Sequence, residues 1–196
     1  LLLDTLENKI TSRPPVWFMR QAGRILPSYR ELKKSHHFYS MMKDKDLATK
    51  VTLLPINDLK VDAAILFSDI LVIPDAMGLE LDFTPNGPKF SNSLKSDSNN
   101  NIKYDPSKLN YIYDNIKNIK ANNHQVPLIG FCGGPLTTFL FMFRSSENKK
   151  SFKEAIKFFY SNKKDSLRIL EQITEASIDY AKNQVNSGID VFQLFE

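Results

Sequence analysis

Three largely apolar runs divide the chain, at residues 61–67, 126–131 and 189–195. Runs of that length, bounded by polar residues, are expected of strands buried on both faces. Between them, apolar positions recur at helical spacing. Residues 44–60 read as a helix with Asp44 as N-cap and with Leu47, Val51, Leu54 and Leu59 on one side. Pro55 is expected to kink or split it. Residues 105–122 read as a second helix, with Asp105 as cap, Pro106 in the first helical position, and Leu109, Ile112, Tyr113 and Ile116 turned inward. Residues 137–143, 151–160 and 165–186 continue the helical pattern, and Gly188 is a C-terminal stop. Residues 29–34 are helical, and residues 1–12 form an amphipathic lead-in. Residues 79–83 and 89–90 flank Pro85-Asn86-Gly87-Pro88, where Asn-Gly marks a hairpin-like turn. Residues 91–101 are polar and low in complexity, and residues 144–149 are a loop.

Buried strands joined by long helical connections imply parallel pairing with right-handed crossovers. The pattern therefore predicts an α/β chain and leaves open sheet or closed barrel undecided.

Composition narrows the class. The chain has 196 residues, 42% hydrophobic and 24% charged, which suits a globular chain and excludes a disordered one. A net charge of +4 is too small and too dispersed to argue for nucleic acid, yet it is compatible with an acidic small molecule. The single cysteine, Cys132, cannot form an intramolecular disulfide, so a reducing, cytoplasmic setting is expected, with a plastid-type organelle left open. No run approaches the ~20 apolar residues of a membrane span. The chain starts at Leu1 rather than methionine, so an upstream segment, an organelle transit peptide being one candidate, is expected to have been removed.

The chemistry concentrates in residues 15–30. Prolines at 14, 15 and 27 confine any helix there to a short turn. In such a turn Arg20 and Arg24 would share one face, about 5–6 Å apart at Cβ. Two guanidiniums that close repel each other, and an anion between them relieves this; a carboxylate or phosphate matches the planar fork. Paired arginines are also common on solvated surfaces. Gly23, which allows close backbone approach, and the apolar anchor 16–19 favour the clamp. Asp69 is the other candidate, a carboxylate directly after a buried strand, where barrel active sites are built. An ordinary loop or helix cap is the competing reading.

The run Trp17-Phe18-Met19-Arg20-Gln21-Ala22-Gly23-Arg24, continuing through Leu26-Pro27 to Tyr29-Arg30-Glu31, resembles the N-terminal signature of the uroporphyrinogen decarboxylases, enzymes of haem biosynthesis. The tract Ile65-Leu66-Phe67-Ser68-Asp69-Ile70-Leu71-Val72-Ile73-Pro74 is similar to their second signature. The resemblance implies a (β/α)₈ TIM barrel. Such barrels need about 250 residues, so residues 1–196 are expected to be a single domain forming the N-terminal portion, about three strands, of a longer enzyme. It further implies cofactor-free removal of CO₂ from the four acetate arms of uroporphyrinogen, and a homodimer. Arg20, Gln21, Ala22 and Arg24 are assigned to substrate binding, Arg20 also to proton delivery. Asp69 is assigned to the pyrrole N–H groups and to the cation formed on protonation.

Two positions depart from the family pattern. Lys33 stands where a further arginine is expected, keeping the charge without the fork. Phe141 stands where many members carry a tyrosine, keeping the ring without the hydroxyl. Phe141 sustains one alternative, a catalytically impaired homologue that binds tetrapyrroles. A corrinoid or methyl-transferring enzyme of the same barrel, with zinc on His and Cys, is another. The family's serine and late histidine fall outside the 196 residues. Cys132, His36, His37 and His124 read as packing or solvated groups, and no metal site is expected. Gly130, Gly133 and Gly134 lack dinucleotide-binding spacing.

Overall fold

The computed structural model describes residues 1–84, 87–95, 102–123, 125–144 and 151–196. Pro85 and Asn86 of the expected turn, His124, and most of the expected loop 144–149 lie outside them. The helices are α1 (Leu2–Leu6), α2 (Pro27–Ser35), α3 (Phe38–Lys43), α4 (Lys45–Leu59), α5 (Val72–Pro74), α6 (Asn110–Asn122), α7 (Pro135–Met142), α8 (Lys153–Ser161) and α9 (Lys163–Ser187). The strands are β1 (Ala64–Ile65), β2 (Leu81–Thr84), β3 (Gly87–Phe90), β4 (Leu128–Gly133) and β5 (Val191–Phe195). A π turn, Asp75–Leu79, follows α5, and a 3₁₀ turn, Pro106–Leu109, leads into α6.

The chain resolves into two compact units. The first comprises Leu1–Ser68, Tyr111–Gly130 and Asn183–Gln193. Its sheet has β4 between β1 and β5, and β1 runs parallel to β4 in the register Ala64↔Leu128, Ile65↔Ile129. The α/β class with parallel pairing thus follows the sequence pattern.

Strand β1 is far shorter than the apolar run that predicts it, and hydrogen-bond bookkeeping explains why. Ala64 and Leu66 donate to Pro127 and Ile129 in the ladder. The flanking groups are taken elsewhere: Ala63 C=O accepts from the Gln21 side chain, and Phe67 N–H donates to Thr52 Oγ1 at 3.0 Å. These two flanking groups are satisfied by side chains rather than by a neighbouring strand.

Helix α4 packs on β1 and begins where the capping pattern puts it. Asp44 Oδ1 accepts from Asp46 and Leu47 N–H, both at 2.9 Å. The helix runs through Pro55 without a break, and the pyrrolidine ring is buried. Its buried face is Ala48, Thr49, Val51, Thr52, Pro55 and Ile56, whereas Leu59 is exposed. Helix α3, absent from the sequence reading, packs against α4 and contributes Met41 and Met42, both fully buried. Helix α6 turns Ile112, Asn115, Ile116 and Ile119 inward, with Tyr113 only half-buried.

The second unit comprises Asp69–Asn110, Phe131–Lys182 and Leu194–Glu196. Here β2 and β3 form the expected hairpin, antiparallel with Leu81↔Phe90 and Thr84↔Gly87 opposite each other. Gly87 has φ 105°, a backbone glycine reaches without strain. Phe139 centres an aromatic cluster with Phe143, Phe158 and Phe159.

Candidate functional site

In the first unit the arginine segment is a loop with no helical turn across Arg20 and Arg24. Arg20 has φ 62°, in the left-handed region, so the helical geometry that would align the two guanidiniums is absent. The loop is anchored instead to the entry of β1. Asp62 accepts both Arg13 guanidinium nitrogens, at 2.6 and 2.8 Å, and the Val16 N–H at 2.7 Å. This pairing holds the Asp62 carboxyl below the usual carboxylate range. The Asp62 N–H donates in return to Val16 C=O.

Gln21 is 1% exposed. Its Oε1 accepts from Phe18 N–H at 3.0 Å and its Nε2 donates to Ala63 C=O at 2.9 Å, so the amide is committed within the chain at both ends. Gly23 allows a close approach, but the approaching group is the chain's own: a Cβ there would lie 2.8 Å from Arg20 C=O. Arg30 Nη1 donates to Arg24 C=O at 3.0 Å, closing the far end. Arg20 and Arg24 are exposed, Ala22 is half-buried, and Lys33 is exposed in the last turn of α2. Burial pushes the neighbouring Tyr29 hydroxyl up, and the Arg24 guanidinium opposes that.

Around the arginines the loop exposes Phe18, Met19 and Ile25, all more than half accessible. A surface depression of about 400 Å³ lies beside it, lined by Ile25, Leu26, Pro27, Ser28, Asp58 and Leu59.

In the second unit Asp69 is half-buried, and its Oδ1 accepts Leu71 N–H at 2.9 Å. This is the loop-turn form of the competing reading and not a cap of α5, whose first flanking residue is Leu71. Phe141 lies on α7, its ring edge-on to Phe152 at 5.3 Å and under the Arg144 guanidinium at 5.0 Å. The turn before α7 has a partner that the sequence reading missed. Glu196 accepts Leu136 and Thr137 N–H, each at 3.0 Å, and a Cβ on Gly134 would collide with its carboxylate. An acid directly beyond an apolar strand gives no signal of this in the sequence, because only the fold brings it to α7.

Cys132 is buried, and burial with the nearby Glu196 charge pushes its thiol up to about 11, the opposite of an activated nucleophile. Among the described residues no group of three or more His, Cys, Asp or Glu could hold a metal ion. No helix among them is long and apolar enough to cross a membrane.

Residues 1–196 match the family described as Uroporphyrinogen decarboxylase (URO-D). The chain belongs to the uroporphyrinogen decarboxylase family. Its relatives include the uroporphyrinogen decarboxylase of Aquifex aeolicus (strain VF5), 41% identical over 199 residues that cover all of this chain and 58% of that protein. The uroporphyrinogen decarboxylase of Christiangramia forsetii is 39% identical, again over the whole chain and 59% of the relative. That of Ruthia magnifica is 42% identical over 99% of the chain and 57% of the relative. The chain thus spans less than three-fifths of the length of these curated relatives.

Among solved structures, a methyltransferase from Methanosarcina mazei shares the fold with a TM-score of 0.76, covering 97% of this chain and 56% of that one. At 22% identity it speaks for the fold alone. Of the positions the decarboxylase signatures single out, Arg20, Gln21, Ala22, Arg24 and Lys33 belong to the first unit, and Asp69 and Phe141 to the second.

Proposed function

We propose that this chain is the N-terminal, single-domain portion, residues 1–196 and about three strands, of a (β/α)₈ barrel that decarboxylates uroporphyrinogen. The observation that carries this reading is the family match over every residue, joined to relatives near 40% identity that bear that name. The Methanosarcina mazei fold likeness supports the α/β frame.

In the proposed reaction a pyrrole carbon takes a proton, and the ring becomes the electron sink. The C–C bond to the carboxylate of an acetate arm breaks, its electron pair flows into the ring, and CO₂ leaves. A second proton then reaches the exocyclic carbon to give a methyl while the ring gives its proton back. Each turn consumes one proton and releases one CO₂, with no cofactor required by the balance. Asp69 stabilises the positive charge that develops on the ring, since a fixed charge does so better than water that must reorient. Arg20 and Arg24 bind carboxylate arms, and Arg20 supplies a proton. Lys33 adds charge, the Ala22 backbone makes a contact, and Phe141 lines the macrocycle. Gln21 serves the site through its loop. The protein acts as a cytoplasmic homodimer.

The test is incubation of the full-length protein with uroporphyrinogen, followed by chromatography of the products. Coproporphyrinogen should accumulate, and Asp69→Asn should lower the rate roughly a hundredfold while leaving the fold intact. Full turnover by Asp69→Asn would remove the role given to that carboxylate. Binding without CO₂ release by the unaltered protein would favour the impaired homologue that Phe141 suggests.

A further inference from the structure

Residues 18–21 form a β-turn in which Gln21 N–H donates to Phe18 C=O at 3.0 Å. Its third residue, Arg20, has φ 62°, and Met19 is not among the residues with positive φ. That is the type II pattern, whose third position favours glycine or asparagine because a Cβ there crowds the backbone. Arginine is therefore an expensive choice, and its side chain recovers nothing locally. Arg20 is exposed, and among the described residues no hydrogen bond or ion pair engages its guanidinium.

The surroundings hold this backbone in place. The buried Gln21 amide ties Phe18 N–H on one side of Arg20 to Ala63 C=O at the start of β1. Gly23 leaves room for the Arg20 carbonyl that any larger residue would strike. Asp62 ties down the approach to the turn through Arg13 and Val16. Strain in an exposed, unpartnered residue, over-determined by buried neighbours, is the arrangement found where a side chain must be presented in advance.

We infer that residues 18–23 are a strained presentation turn, in which Gln21 and Gly23 are positioning residues that hold the Arg20 guanidinium ready for a carboxylate of the substrate. The inference rests on the proposal that Arg20 binds an acetate or propionate arm. Its gain is preorganisation: the loop is ordered before substrate arrives, so less binding free energy is lost on capture.

Two measurements on the full-length protein test it. Arg20→Gly and Arg20→Ala both remove the guanidinium, but only glycine relieves the left-handed backbone. The glycine variant should melt about 2–4 °C above the alanine variant. Equal melting points, or a more stable alanine variant, would overturn the strained turn. This comparison uses no substrate, so it stands or falls separately from the decarboxylase reading, which fails if the unaltered protein does not turn over uroporphyrinogen.

The second measurement is a double-mutant cycle on turnover. Gln21→Ala should lower kcat/KM roughly tenfold, through KM and, because Arg20 also supplies a proton, through kcat, and should have no further effect on kcat/KM in the Arg20→Gly background. An equal loss in both backgrounds would show that Gln21 acts through general stability, and would overturn its positioning role.

Discussion

Gly23 and Cys132 show how differently single residues can be read from their surroundings. The position of Gly23 is closed by the Arg20 carbonyl 2.8 Å from where a Cβ would stand. Backbone cannot step aside as a flexible side chain can. Gly23→Ala should therefore cost about 1–3 kcal/mol, checked by denaturant unfolding. Cys132 is 2% exposed, and its thiol is pushed up to about 11. It should resist alkylation at pH 8 in the folded protein, whereas unfolding should make it reactive. In the unfolded chain the thiol ionises near pH 8.5, so this group also lowers stability as pH rises from there toward 11. Gln21 changed meaning most at this scale. A polar residue in an arginine-rich loop reads as a ligand, and only the fold commits its amide to Phe18 and Ala63.

Elements followed the pattern where their signals are local. Asp44 and Asp105 both cap the helical segments they precede, because an N-cap needs only a short side chain and the next two or three N–H groups. Asp44→Ala should cost about 1 kcal/mol, read as a drop in thermal midpoint. The hairpin was equally legible, although Gly87 and Pro88, read as turn residues, begin β3. Local signals failed where packing chose among equivalent candidates. In α4 the apolar stripe holds at Val51, which is fully buried, yet Ala48 and Thr52 are buried beside it and Leu59 is exposed. Small residues let the helix approach β1 closely, and the Thr52 hydroxyl meets the Phe67 N–H there. Helix α3 carries no side-chain cap and has only six residues, so its existence depends on burying Met41 and Met42.

For the molecule as a whole, the Arg13–Asp62 pair gives acid lability a specific origin. Asp62 is held below its ordinary range chiefly by its hydrogen bond from Arg13. Because the folded value lies below the unfolded one, the stabilisation is complete above the unfolded value near 3.9 and is lost as pH falls through the folded value. Thermal midpoints of the unaltered protein and Asp62→Asn should differ at pH 6 and draw together as pH falls below the unfolded value near 3.9. A constant gap across that range would show that the carboxylate's charge is not the source. The same pair fixes the arginine loop to the strand entry, so acid should loosen that loop along with the fold.

The sequence alone determined the family, the α/β class and the two capped helical segments. These rest on signals carried within a few adjacent positions, or in long runs of identity. Only the tertiary structure decided that Arg20 stands in a left-handed turn, that Gln21 and Asp62 bolt its loop to β1, and that Glu196 caps α7. Those facts depend on which distant backbone groups remain unsatisfied once the chain has folded, a property that no local stretch of sequence contains.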